Sequence, residues 1–304
     1  MGLDRYDEAR GVLKQAADRK LEFNGARRLS YYLAFVQGDP ATMARELDAS
    51  VGVGETNAAF GWQARGSAFS GHIATAHEQF GRGIQLSLQG KFTEVAAQLT
   101  MEDAETHAAV GQCGDARREV SAGLALNKDK STMERASRVL ALCGDGAQAL
   151  ALASDVARVF PEATFTNEVA VPVTKAALAI AQREPARARA LLEPVRRYDH
   201  APSAEFWPTY VRGQAYLQLK EGAAATAEFR SIVDHRGEVP MSMLYPLAYL
   251  GHARAAAMTG DEDAARKSYE TFFALWDGAD DLQPLSDARL EYSRLDTTRR
   301  GASE

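Results

Sequence analysis

Between Leu3 and Glu22 the chain reads LDRYDEARGVLKQAADRKLE, with Tyr6, Ala9, Leu13 and Ala16 recurring at helical spacing on one face and charged residues filling the other. This pattern predicts an amphipathic helix. Within it the small residue Ala9 stands four positions before Leu13, so that a second helix can approach closely at one point and lock above it. Similar positions occur at Ala44 beside Leu47 and Asp48, Ala76 with Phe80, Ala188 with Leu192, Ala225 with Phe229, and Ala265 with Tyr269. Helix breaks fall just ahead of these, at Gly38-Asp39-Pro40, Gly71, Gly114-Asp115, Gly144-Asp145, Glu184-Pro185, Glu221-Gly222 and Gly260-Asp261. Each has a local reason: Gly accepts the left-handed end of one helix, Asp caps the next, and Pro suits its first turn. Periodicity and breaks together predict helices at about 3–22, 26–37, 40–50, 55–70, 72–89, 91–112, 115–126, 131–142, 146–159, 164–182, 185–197, 204–220, 223–234, 242–258, 262–276 and 284–295, and no strand.

The breaks and the small-then-bulky pairs repeat at about 34 to 40 residues with two helices per unit, the signature of a tetratricopeptide array. LDRYDEARGVLKQA resembles the second helix of such a repeat. VRGQAYLQLKEGAAATAEF, with Gly213, Tyr216, Ala225 and Phe229, resembles a nearly whole one. The expected fold is all-α, a right-handed α-solenoid of tetratricopeptide-like helix pairs with about 14 to 17 helices, spanning 1–304 as one superhelical domain. Its register is degenerate at about 90–130, and a polar helix at about 284–296 is expected to cap the stack. The chain opens in the middle of a repeat, so a longer natural protein extending upstream is expected.

A closer resemblance covers about Glu55 to Leu295. It is carried by FPEATFTNEVAVPVTKAALAIAQREPARARALLEPVRRYD, WPTYVRGQAYLQL, EFRSIVDHRG and YLGHARAAAMTGDEDAARKSYETFFALWDGAD. Together these resemble the C-terminal tetratricopeptide region of bacterial eukaryotic-like serine/threonine kinases and of related winged-helix regulators. The resemblance implies a sensing, docking or oligomerisation module that follows a signalling domain. It also implies that a membrane segment can precede the module, which leaves a cytoplasmic or extracytoplasmic location open.

Composition narrows the function classes. The 304 residues are 46% hydrophobic and 25% charged with a formal net charge of −6, which is the profile of a folded globular chain. The basic pairs Arg27-Arg28, Arg117-Arg118, Arg196-Arg197 and Arg299-Arg300 are scattered, so no nucleic-acid footprint is expected. No apolar run approaches the length of a membrane span, and no membrane contact by this chain is expected. The two cysteines, Cys113 and Cys143, both precede Gly-Asp and so read as equivalent positions of neighbouring repeats. Stacked equivalents lie about 8–10 Å apart, too far for a disulfide, and both are expected to be small buried apolar residues.

Catalytic patterns are missing. There is no Gly-x-Gly-x-x-Gly loop with its lysine strand, no His-Arg-Asp loop and no Asp-Phe-Gly, and Asp234-His235-Arg236-Gly237 reads as a helix end stopped by Gly. Val51-Gly52-Val53-Gly54-Glu55-Thr56 lacks the lysine of a phosphate loop and reads as a linker. No Gly-x-Ser-x-Gly turn exposes a serine nucleophile. His72 and His77 are rotated apart on their helix, and Asp103 with His107 reads as a solvated ion pair, so no metal or cofactor is expected.

What remains is a set of aromatic and polar residues on first helices, which line the concave face of such arrays. Tyr31, Trp62, Arg65, Asn167, Lys175, Trp207, Tyr210, Arg212, Gln214, Tyr245, His252 and Arg254 form the candidate groove, since aromatics and Arg anchor interfaces through rigid area and forked donors. Arg65, Arg212 and Arg254 stand out because a packed seam would not accommodate charge. The expected partner is a protein or peptide, or a second copy of the chain; the alternative is a small regulatory molecule held where the superhelix closes, and the third reading is an uncharacterised enzyme.

Overall fold

The computed structural model describes residues 1–21, 24–52 and 56–301, and its regular structure among them is helical, with no strand. Sixteen α-helices follow one another: α1 (Tyr6–Asp18), α2 (Asn24–Gln37), α3 (Pro40–Gly52), α4 (Thr56–Phe69), α5 (Ile73–Gln89), α6 (Thr93–Ala109), α7 (Cys113–Leu126) and α8 (Lys130–Leu142). Then come α9 (Gly146–Val159), α10 (Val171–Ala181), α11 (Pro185–Leu192), α12 (Trp207–Leu219), α13 (Gly222–Asp234), α14 (Leu244–Met258), α15 (Glu262–Leu275) and α16 (Gln283–Gly301). From α2 onward they pack as pairs, α2 with α3 through α14 with α15, in an α-solenoid of tetratricopeptide-like units, with α1 against α2 and α16 against α15. Of the linker read at Val51–Thr56, residues 53–55 lie outside the described residues.

Each pair turns at one left-handed residue. Gly38, Gly71, Gly111, Gly144 and Gly260 take this role, and Arg183 and Lys220 take it where the breaks at Glu184-Pro185 and Glu221-Gly222 were expected to rest on Pro and Gly. These seven residues recur every 33 to 40 positions. Immediately after each of the last six turns the second helix presents two buried residues four apart: Ala76/Phe80, Ala116/Val120, Ala149/Ala153, Ala188/Leu192, Ala225/Phe229 and Ala265/Tyr269. The pairs in α7 and α9 carry no large residue, and the one in α7 explains why the register between 90 and 130 is faint in the sequence. At the other extreme, the Phe229 ring of α13 lies between two first helices. A Cβ placed on Gly213 of α12 or Gly251 of α14 would meet it at 2.7 and 2.5 Å, so both glycines exist to admit the ring.

The cysteines depart from expectation. Cys113 and Cys143 are disulfide-bonded, with Cα atoms 5.5 Å apart. The shared Cys-Gly-Asp spelling misleads by three residues: Gly144 is the left-handed turn residue after Cys143, whereas the left-handed residue of the preceding pair is Gly111, two before Cys113. Cys143 therefore closes α8 while Cys113 opens α7, and the two helix ends meet side by side.

The array also bends back on itself. The Trp276 indole N–H donates to the Phe69 carbonyl at 3.1 Å across 207 residues, the Asp280 N–H donates to the Gly71 carbonyl, and the Ala74 N–H donates to Asp280 Oδ2 at 2.8 Å. A second seam joins the segment after α13 to the chain start, where the Gly237 N–H donates to Asp4 Oδ1 at 2.7 Å. The helix α13 does end at Asp234, as Asp234-His235-Arg236-Gly237 suggests, but Gly237 is not left-handed; it is needed because a Cβ there would collide with the Met1 carbonyl. Between the seams the Arg236 guanidinium sits over Phe35, Phe69 and Tyr245, 5.0 to 5.8 Å from each ring. Such contacts add to the hydrophobic closure because the ring faces are electronegative.

Two predictions follow from the packing. Gly251→Ala displaces the Phe229 ring and costs about 1–3 kcal/mol of overpacking, whereas Gly81→Ala, with no atom within 4 Å of the added carbon, gains about 0.5–1 kcal/mol of helix propensity; urea unfolding measures both. The disulfide closes a separation of 30 residues, so Cys143→Ser destabilises the α7–α9 region by about 2–4 kcal/mol. Thiol titration of the unfolded chain finds no free thiol before reduction.

Candidate functional site

The first helices α2, α4, α6, α8, α12 and α14 contribute side chains to one common space, which the two seams border and which stays partly open to solvent. The result is a cavity of about 640 Å³ whose polar lining includes Tyr32, Arg65, Glu102, Glu105, Arg135 and Glu205. Its walls are bridged by charge. Arg65 donates to Tyr32 Oη at 3.0 Å and to Glu102 Oε1 at 2.7 Å. Arg135 pairs with Glu105 and, at 2.5 Å, with Glu205, while Arg138 donates through Nε to Glu105 at 2.9 Å and lies 5.0 Å over the Trp207 ring.

The three guanidinium groups are matched by three carboxylates, so the cavity is close to neutral despite its polarity. Burial is the largest influence at Arg65 and Arg135 and works against their charge, but Glu102 with Tyr32 at the first, and Glu105, Glu205 and Glu102 at the second, together outweigh it and raise both guanidinium pKa values. Burial pushes the Glu105 carboxyl up against the pull of Arg135 and Arg138. At Glu205 burial acts in the same sense, yet the two arginines prevail and hold the carboxyl below its usual range. One acceptor is left over: Glu102 Oε2 is buried with no partner. The cavity wall therefore presents guanidinium and carboxylate groups held in fixed positions by one another, which suits a ligand carrying polar hydrogen-bonding groups.

Glu205 reaches the cavity by an unusual route. Between α11 and α12 the chain runs through two 3₁₀ turns, Pro194–Tyr198 and Pro202–Ala204, and then holds Glu205 and Phe206 in succession in the left-handed region at φ 51° and 66°. Two adjacent non-glycine residues there cost about 1–3 kcal/mol each. The ion pairs to Arg135 and the burial of Phe206 hold them in place.

The candidate groove residues separate into several environments. Arg65 and Trp207 line the cavity. Gln214 and Arg254 line a second cleft, of about 770 Å³ between α12, α14 and α16, where Arg254 donates to Glu291 at 2.8 Å. Tyr31, Trp62 and Tyr245 are buried, the first two with Met241 in the seam and Tyr245 stacked on Phe69. Tyr210 packs edge-on against Trp207 and Phe229, and His252 meets Ser268 Oγ at 2.9 Å, its pKa lowered by burial. Asn167 and Lys175 lie away from the cavity: the Asn167 amide donates to the carbonyls of Phe160, Pro161 and Ala163, and Lys175 is exposed.

Arg212 corrects the premise that a packed seam would not accommodate charge. It is 0% exposed, donating to Asp199 Oδ2 at 2.6 Å and pairing with Glu228 Oε2 at 2.8 Å. Two carboxylates make its burial tolerable, and the triad ties α12 to α13 and to the preceding loop.

Glu102, Glu105, Arg135, Arg138 and Glu205 were absent from the candidate set. A signal for four of them exists. Arg65 and Glu102 are separated by 37 residues, and Glu105 stands 30 and 33 before Arg135 and Arg138. Opposite charges one repeat apart on first helices face each other across adjacent units. Glu205 had no such signal, because its position depends on the irregular loop.

No protein-family model matches the chain, and no curated protein does. Among solved structures, the chain is similar to the crystal structure of the P58(IPK) TPR domain, at 13% identity over 98% of this chain and 95% of that one, with a TM-score of 0.35. Nothing about partner or activity follows from a likeness at that level.

The depressed Glu205 pKa sets a pH dependence. With the folded value below the unfolded one, its pairing stabilises the fold above the ordinary carboxylate pKa of about 4.5 and is lost as pH falls through the depressed value. Glu205→Gln is expected to cost about 1–2 kcal/mol at pH 7, discounted for the partial exposure of the side chain. Urea unfolding of the variant and the parent at pH 7 and in strong acid measures it: the difference shrinks in acid, where the parent carboxyl is protonated too.

Proposed function

We propose that this chain is a recognition module that binds a short polar segment of a protein partner inside its first-helix cavity. The observation that carries the reading is the convergence of Arg65, Glu102, Arg135 and Glu205 on one partly open cavity lined by first helices. A peptide backbone supplies N–H donors and carbonyl acceptors in alternation, which matches a neutral wall of alternating carboxylate and guanidinium groups. The sequence resemblance to the C-terminal repeats of bacterial serine/threonine kinases and winged-helix regulators supports placing the module in a signalling protein, as its sensing or docking part.

A small-molecule ligand is the second reading, and the two seams favour it. They limit the space to the size of a drug-like or metabolite-like ligand rather than the long groove of an open array. In either case the ligand is held by the same charged wall. Among the described residues no helix is long and apolar enough to cross a membrane.

A photo-crosslinking residue in place of Gln98 or Thr106, both on the cavity wall, distinguishes the readings. A crosslink to a discrete protein, weakened at least about tenfold by Arg65→Met through loss of charge-assisted hydrogen bonds, supports peptide recognition. A metabolite that raises the melting temperature of the parent but not of Arg65→Met, with no protein crosslink, replaces it with the second reading. A crosslink only to another copy of the chain, with a concentration-dependent mass by light scattering, makes the occupant the chain itself.

A further inference from the structure

The face of α6 turned away from the cavity carries a second polar constellation. Asp103 and His107 are one helical turn apart, and His77 of α5 reaches the same point. They were expected to form a solvated pair, but the Asp103 and His107 side chains are 1% and 8% exposed. None of the three lines the cavity. His77 is half-exposed and leaves the cluster open to solvent on one side.

The hydrogen bonding here does not close. His77 Nδ1 lies 2.6 Å from Asp103 Oδ2. His107 Nδ1 lies 2.7 Å from Gln112 Oε1, a carbonyl-type oxygen that only accepts, so Nδ1 carries a proton and, in the neutral ring, Nε2 holds the lone pair. That lone pair faces Asp103 Oδ1 at 3.5 Å, and both atoms are buried with no hydrogen-bond partner. Two acceptors facing each other in a dry place repel unless a proton or a cation lies between them. The surroundings add negative charge: Glu119 of α7 is near enough for Asp103 and both histidines to act on its carboxyl, while the nearby Asp115 is paired with Arg118.

We propose that His77, Asp103 and His107 form a binding site for a divalent transition-metal ion, best suited to zinc. Two imidazoles and one carboxylate are the donor types zinc takes at sites that keep a fourth position open. One donor atom from each residue lies within 4.8 Å of the other two, and the 3.5 Å between His107 Nε2 and Asp103 Oδ1 already matches the edge of about 3.3–3.5 Å of a tetrahedron with bonds near 2.0–2.1 Å. Gln112 acts as the outer-shell acceptor that fixes the His107 tautomer, the usual arrangement for a metal-bound histidine. The fourth position opens beside the exposed edge of His77, with Glu119 alongside as a fourth ligand or a partner for bound water. Such an ion joins α5 to α6, two neighbouring repeats, a few residues from the disulfide at Cys113.

A second cluster, His200, His235 and Glu238, has a similar donor set but is only partly buried, and all of its ring contacts are satisfied or solvent-facing. It serves as the internal control. The untagged full chain, stripped with a chelator, is titrated at pH 7.5 with Co²⁺ and then Zn²⁺, with metal content measured after dialysis. The expected result is one ion per chain, visible absorption of four-coordinate Co²⁺ that Zn²⁺ displaces, and a higher melting temperature on metal addition. Asp103→Asn and His107→Gln, nearly isosteric and checked by circular dichroism, abolish the Co²⁺ spectrum. Gln112→Leu weakens binding about 10- to 100-fold, and His235→Ala leaves it unchanged. No stoichiometric uptake by the parent chain, uptake that survives Asp103→Asn together with His107→Gln, or uptake lost in His235→Ala each overturns the assignment.

Discussion

The indole of Trp276 lies fully buried against the turn between α4 and α5 and gives its single N–H to a carbonyl 207 residues earlier in the chain. In an ordinary solenoid each repeat touches only its neighbours, so the array grows as an open curve and its concave face is a groove of whatever length the repeats supply. Here the last repeats meet the early ones, through Trp276 and Asp280 at one seam and through Arg236, Gly237 and Met241 at the other. That contact turns a groove into a chamber. It fixes the volume between the first helices and leaves α14 packed between its own repeat and α4. It also couples the stability of the two ends, which a linear array would leave independent.

Closure changes the electrostatics of the interior. First helices that would be washed by solvent in an open array face each other across a small space, so their polar residues need partners. They find them one repeat away: Arg65 with Glu102, Arg135 and Arg138 with Glu105, and Arg254 with Glu291 outside the cavity. Bridges of this kind contribute little net stability, because desolvation offsets most of the attraction. Their effect is to set which rotation of each first helix is tolerated, since a slipped helix would bury an unpaired charge. The same helix, α6, carries the charged cavity residues on one side and Asp103 with His107 on the other. Eleven of its seventeen residues are buried, so both sides are enclosed, and its sequence shows little amphipathic bias for that reason.

The helices and their pairing were legible from periodicity. A left-handed turn, a buried Ala and a bulky residue four later are properties of a dozen adjacent residues, and side-chain size and backbone sterics act over that range. Where the bulky residue is missing, in α7 and α9, the pattern faded although the helices pack in the same way. The candidate site was legible only in part. Arg65 and Trp207 do line the cavity, but Tyr31, Trp62, Arg212 and Tyr245 are packed inside, because an aromatic or an arginine on a first helix has the same spelling whether it meets solvent, a ligand or another helix.

Pattern and turn chemistry thus suffice for an all-α array of helix pairs, because those forces are local and nearly independent of what lies far along the chain. The disulfide, the closed chamber, the left-handed Glu205 and the His77–Asp103–His107 cluster arise otherwise. Each depends on the rotation and curvature accumulated over many repeats, which bring together groups 26 to 233 residues apart. Small angles per repeat add up to that geometry, and no local pattern in the sequence records their sum.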